Sequence, residues 1–223
     1  ATDALEASLA GDHNRTLGLD GRWGMGRYGL LSGFLAKTST PGITRRDDAF
    51  QLGASCGSPE WDFSAKYTDV GPGFNPEVGF LSREGGFRKP ELLVLRRKRM
   101  NGFLGLHEIR PHVSFRGFWT PDGFQQSGFL HADNHWEWRN GYELHTAVNF
   151  SREGLQAPFE IYPGVVEPPG PYDHQEVQIV GITNQGAPLS LDATVVAGGF
   201  LGGRRLSLRP ALKARAGQSV NAE

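Results

Sequence analysis

His131, Asp133, His135 and Glu137 stand at alternate positions of one segment, and Glu143 and His145 follow at the same spacing beyond an Arg139-Asn140-Gly141 break. Alternate residues of an extended chain share a face, so these six side chains form one polar stripe. Neutral imidazoles with carboxylates suit zinc or another divalent ion. Two carboxyl groups could also divide acid and base roles across a glycosidic bond. A hydrated channel wall needs neither chemistry, because its charges stay solvated or pair with arginines. The hydrated wall is the plainest of the three, and the sequence assigns no metal, no cofactor and no catalytic set.

The stripe needs a hairpin to hold it. Trp138, Trp136, Asn134, Ala132 and Leu130 alternate with the polar residues before the break, and Tyr142, Leu144, Thr146, Val148 and Phe150 do so after it. A two-residue Asn-Gly turn would set the tryptophan face against the glutamate face. A three-residue turn with Gly141 in the left-handed region keeps apolar residues opposite apolar residues. The second register is therefore expected, with His135 beside His145 and Glu137 beside Glu143. Like groups facing each other are unfavourable unless a cation, a shared proton or water intervenes.

The same period-two signal recurs along the chain. Eleven strands are expected: 15–23, 28–38, 49–55, 60–68, 91–97, 106–120, 124–138, 142–151, 174–182, 189–198 and 204–214. Thirty-one glycines and fourteen prolines in 223 residues favour strands and turns over helices. Short and long connections alternate, with 24–27, 56–59, 139–141 and 183–188 short and 39–48, 69–90 and 152–173 long. In an up-and-down sheet this gathers short turns at one end and long loops at the other, as in outer-membrane barrels. Trp136, Trp138 and Tyr142, apolar and next to a short turn, suit an aromatic girdle at a membrane interface. A soluble sandwich or lipocalin-like barrel could bury the same residues.

Composition narrows the function classes. A formal net charge of -1 gives no reason to expect a nucleic-acid partner, and the Arg96–Arg99 cluster reads as a solvated turn. A single cysteine, Cys56, excludes an intrachain disulfide. No run of about 18 apolar residues is present, which excludes a helical span and leaves a membrane barrel open. The chain begins at Ala1 and not at Met, and residues 1–223 are read as one partial barrel domain, a fragment of a longer protein.

Three further segments carry candidates. Phe74, Asn75 and Glu77 lie in the long loop after the fourth strand, where Phe74-Asn75-Pro76 reads as a loop-folding element with Phe74 and Phe80 packed inward. Phe159, Tyr162 and Tyr172 lie in a proline-rich connection expected to be stiff and extended; they could stack on sugar rings, plug the lumen or brace the rim. Gly198, Gly199, Gly202 and Gly203 lack the Lys-Ser/Thr ending of a phosphate loop and read as a tight bend. Signatures of serine hydrolases and of the helical zinc proteases are absent.

The segments Tyr67–Leu81 (with Phe74-Asn75-Pro76-Glu77-Val78-Gly79-Phe80), His131–Arg139, Pro158–Val165 and Gly198–Gly203 are together similar to an uncharacterised bacterial family. It is the outer-membrane β-barrel domain of unknown function found C-terminal to carbohydrate-binding family 9-like modules. The resemblance spans nearly the whole chain. It implies an antiparallel up-and-down transmembrane barrel in the outer membrane of Gram-negative bacteria, in contact with lipid, with glycan as a candidate ligand. The sugar-binding module is missing, and eleven strands leave the barrel incomplete. The function so implied is envelope transport or glycan handling, with catalysis by this segment left open but disfavoured. The alternatives are a carbohydrate-active hydrolase using loop or lumen carboxylates, and a soluble β-rich binding module.

Overall fold

Alternating apolar and polar residues run through almost the whole chain, and they fold into one antiparallel meander. The computed structural model describes residues 12–77, 79, 81, 83–216 and 220–222. Its long strands are β1 (Arg15–Met25), β2 (Gly29–Ser39), β3 (Asp48–Gly57), β4 (Trp61–Val70), β5 (Phe87–Arg96), β7 (Leu106–Trp119), β8 (Gln125–Trp138), β9 (Glu143–Leu155), β12 (Gly170–Ile182), β13 (Leu189–Phe200) and β14 (Gly203–Ala216). Short strands complete the set: β6 (Lys98–Arg99), β10 (Phe159–Tyr162), β11 (Val165–Glu167) and β15 (Val220–Ala222). The eleven long strands coincide with the eleven expected from alternation, most of them extended by a few residues. They pair in chain order within a 13-stranded sheet, while β10 and β11 form a separate two-stranded ribbon.

Strand pairing carries the two-face pattern from one strand to the next. Leu19 lies opposite Leu35, Leu52 opposite Tyr67, Ala65 opposite Leu92, Val113 opposite Ala132, Val148 opposite Val177, and Val195 opposite Leu208. These pairs make one apolar face across all eleven long strands, and much of it is bare. Leu19 is 78% exposed, Leu52 65% and Leu208 66%. The opposite face carries Asp62, Lys66, Glu91, Glu108, Arg110, His112, Asp133, Glu176 and Arg205.

The described strands do not close into a barrel, in keeping with the incomplete barrel expected from eleven strands. The sheet is open among the described residues: β1 bonds only to β2, and β14 meets β13 along its length but β15 only at Ala214–Ala216. No ring of strands is formed, and β1 is exposed along its whole length. No helix among the described residues is long and apolar enough to cross a membrane, which says nothing of a β-barrel.

The long-loop end of the polar face holds a small apolar core. Ala49, Val70 and Phe87 are buried there, and Phe34, Phe74, Leu81 and Phe118 pack against them. The loop between β4 and β5 is drawn onto this core by its backbone. Gly71 N–H donates to Asp48 O at 2.8 Å and Gly73 N–H to Arg46 O at 2.8 Å. A Cβ on Gly71 would come within 2.3 Å of Arg46 O, so only glycine allows this approach. Arg46 also hydrogen-bonds the buried Asp69 carboxylate, a bond that holds the guanidinium pKa above its ordinary value.

Two connections differ from their sequence reading. The proline-rich segment is not one extended loop, because β9 and β12 pair as far as Leu155 and Gly170 and the residues between form the β10–β11 ribbon. Gly164 at φ 84° turns that ribbon, and its N–H donates to the Glu160 carboxylate at 2.8 Å. A local side-chain acceptor thus competes with the extended preference of the prolines. The glycine-rich bend is confined to Leu201-Gly202, both at positive φ, while Gly198 and Gly199 lie within β13.

Candidate functional site

The β8–β9 hairpin adopts the three-residue turn. Trp138 N–H donates to Tyr142 O at 2.9 Å, Gly141 N–H to Trp138 O at 3.0 Å, and Gly141 sits at φ 83°. Tyr142 N–H is tied to the Asn140 side chain at 3.2 Å. His135 therefore stands opposite His145 and Glu137 opposite Glu143. The two imidazoles stack with centroids 3.6 Å apart and planes within 2°.

Strand β7 supplies what the hairpin lacks. Pairing sets Arg110 opposite His135 and His112 opposite Asp133. Arg110 Nη2 lies 3.2 Å from the Glu143 carboxylate and 3.5 Å from that of Glu137. The facing acids are thus held by a guanidinium from the neighbouring strand. One positive charge bridges the two carboxylates and offsets part of their mutual repulsion.

Asp133 is the centre of the stripe, with 2% of its side chain exposed. Its carboxylate accepts from Thr146 N–H at 2.9 Å and lies 3.1 Å from His135 Nε2 and 3.6 Å from His131 Nε2. Ala147 stands opposite Asp133 on β9, and its small side chain leaves room for the flanking rings. His112 packs edge-on to His135, with centroids 5.0 Å apart, and tilted to His131 at 5.2 Å. Asn149, also buried, places its Oδ1 2.6 Å from His131 Nδ1.

All six residues expected on the stripe are brought together. The sequence reading overlooked Arg110, His112, Asn149 and Gln178. The first two were detectable, since Glu108, Arg110, His112, Ser114 and Arg116 alternate on β7 as cleanly as the stripe does on β8. Asn149 shares the face of Glu143 and His145 by the same alternation, whereas Gln178 carries no distinguishing local signal.

The other candidates lie elsewhere. Asn75 N–H donates to the buried Thr38 hydroxyl at 3.0 Å, Asn75 O accepts from Asn14 Nδ2 at 2.7 Å, and Asn75 Nδ2 reaches Glu77 at 3.3 Å. With Phe74 on the small core, this element folds the loop, as its composition suggests; Val78 and Phe80 lie outside the described residues. Phe159 and Tyr162 are 50% and 72% exposed, so neither plugs the sheet. Tyr172 donates to Pro168 O at 2.8 Å and braces the connection.

Of the aromatic trio by the turn, Trp136 donates to Thr146 Oγ1 at 3.0 Å and Trp138 to Leu104 O at 3.2 Å, while Tyr142 is exposed. Two of the four cations of the basic cluster are paired locally: Arg97 with Asp62, and Arg99 at 3.3 Å from Glu108.

No family model, curated protein or solved structure matches the chain. The resemblance noted in the sequence is carried by the quoted motifs alone.

Proposed function

We propose that this chain is the strand-forming part of an outer-membrane β-barrel that serves envelope transport or glycan handling without catalysis of its own. One observation carries the reading: the apolar face runs across all eleven long strands and is left exposed. Soluble proteins rarely show a contiguous apolar patch beyond a few hundred Å², and among the described residues no second layer covers this one. Strands of 10–14 residues are long enough to cross a bilayer when tilted. The polar opposite face, the girdle-like Trp136, Trp138 and Tyr142, and the division into short turns and long loops all agree with it.

The reading makes a demand on the open edges. Unpaired backbone groups in lipid cost several kcal/mol each, so β1 must find a partner, whether the far side of this sheet or a further strand. The charged groups of the polar face would line the lumen and select what passes or binds there.

Fractionating cells that express the full-length protein, then comparing gel migration with and without boiling, tests this. Recovery in the outer membrane with a heat-dependent mobility shift is expected. Recovery as a monomer that stays folded in buffer without detergent overturns it.

A further inference from the structure

The hydrogen bonds around Asp133 orient the neighbouring imidazole rings. Asn149 Nδ2 donates to Gln178 Oε1 at 3.3 Å, which turns Asn149 Oδ1 toward His131 Nδ1. An amide oxygen only accepts, so His131 Nδ1 donates to it, and Nε2 is the ring nitrogen left facing Asp133. His112 Nδ1 lies 3.3 Å from Arg110 O, another pure acceptor, so His112 likewise donates from Nδ1 and leaves Nε2 as its other ring nitrogen. Each ring is thus oriented by a carbonyl behind it, as in histidine metal ligands, whose second nitrogen is held by an outer partner.

The two rings meet beside one carboxylate. Ligand atoms of His112, His131 and Asp133 all lie within 4.8 Å of one another. His131 Nε2 lies 3.6 Å from Asp133 Oδ2, and only 2% of the Asp133 side chain is exposed. A divalent ion between them would pair with this buried carboxylate and be held by the facing ring nitrogen. Two imidazoles exclude a calcium- or magnesium-type site, which takes oxygen ligands, and favour zinc and its first-row neighbours. Zinc–nitrogen bonds of roughly 2.0–2.1 Å set neighbouring ligands about 3.3 Å apart, so side-chain movements of about an ångström close the set.

A second group, Asp133 with His135 and His145, is also compact. Its nitrogens already have near neighbours, however: His135 Nε2 lies 3.1 Å from Asp133 Oδ2, and His145 Nε2 lies 3.2 Å from Glu143.

We propose that His112, His131 and Asp133 bind one divalent first-row transition ion of the zinc class on the polar face, with Asn149 positioning His131 and His135 supporting Asp133. Three protein ligands leave a fourth position open to water or a small anionic ligand. The inference does not depend on the membrane reading, because these side chains keep their places whether the apolar face meets lipid or a partner.

The test uses the full-length protein, stripped with chelator and titrated with zinc sulfate, with bound metal counted by mass spectrometry and cobalt(II) added as a coloured substitute. One ion per chain is expected, with cobalt absorption bands of a four- or five-coordinate site. H112A, H131A and D133N should each abolish retention through gel filtration, and H107A should leave it unchanged. N149L should weaken affinity by roughly 10- to 100-fold, a change that a merely structural asparagine would not produce. If alanine variants fail to fold, H112Q and H131Q preserve polarity and volume and give the same readout. Zinc bound no more tightly by wild type than by the H112A/H131A double variant would falsify the site. Binding kept in that double variant but lost in H135A/H145A overturns the assignment in favour of the neighbouring group.

Discussion

Arg110 on β7 reaches past β8 to Glu143 on β9, with Nη2 3.2 Å from the carboxylate and 3.5 Å from that of Glu137. One guanidinium thereby makes two directly opposed glutamates tolerable.

Removing that guanidinium should cost more than the loss of an exposed ion pair, because Glu137 and Glu143 would then repel each other across the hairpin. R110A is expected to lower stability by about 1–3 kcal/mol. Adding E143Q should recover much of the loss. Denaturant titrations of the single and double variants measure the coupling, and additive effects would show that the three residues act independently.

The apolar face offers a test of what it contacts. Leu130 and Val148 lie midway along β8 and β9 and are 36% and 42% exposed. In lipid, L130R or V148R near the midplane is expected to cost about 2–4 kcal/mol. In water the same changes at exposed positions should stay within about 0.5 kcal/mol. Unfolding measured in lipid vesicles separates these values.

Glycines of neighbouring strands should respond oppositely to alanine. A Cβ at Gly198 would sit 2.2 Å from Gln175 O and 2.6 Å from Glu176 Cα, both backbone atoms, whereas Gly181 has nothing within 4 Å. G198A is expected to destabilise by about 1–3 kcal/mol. G181A should be neutral or stabilise by up to about 1 kcal/mol, by restricting the unfolded chain. Equal effects in thermal melts would contradict the close packing of β13 on β12.

At the long-loop end, R46A removes a partner of Asp69 and loosens the segment to which Gly71 and Gly73 are bonded. A loss of about 0.5–1 kcal/mol is expected, with faster hydrogen exchange at the Gly71 and Gly73 amides and little change in β8 or β9. The guanidinium pKa is raised in the folded state, so its contribution is complete below the unfolded value and fades only as pH rises through the folded one. The difference between R46A and wild type should therefore stay constant from mildly acid to mildly alkaline pH.

Local chemistry made most of the strands legible. Alternation sets which residues share a face, and the requirement that apolar face apolar, together with Gly141 at positive φ, selects one hairpin register. From those two facts follow His135 beside His145 and Glu137 beside Glu143. The loop element Phe74-Asn75 was readable for the same reason, since proline and a short polar side chain act on their immediate neighbours. The β10–β11 ribbon was not, because the Glu160 carboxylate that accepts from Gly164 N–H outweighs a proline-rich composition only once the turn has formed.

The sequence by itself determined the all-β class, the extents of the long strands to within a few residues and the parity of their faces. These depend on a two-residue period and on turn residues, which need no distant partner. Only the tertiary structure decided that the sheet stays open among the described residues, that Arg110 holds the two glutamates, and that Asn149, itself bonded to Gln178, orients the His131 ring. Each of these depends on which strands lie side by side and how their side chains meet across the sheet, and a repeating pattern within one strand specifies a face without naming the neighbour that will cover it.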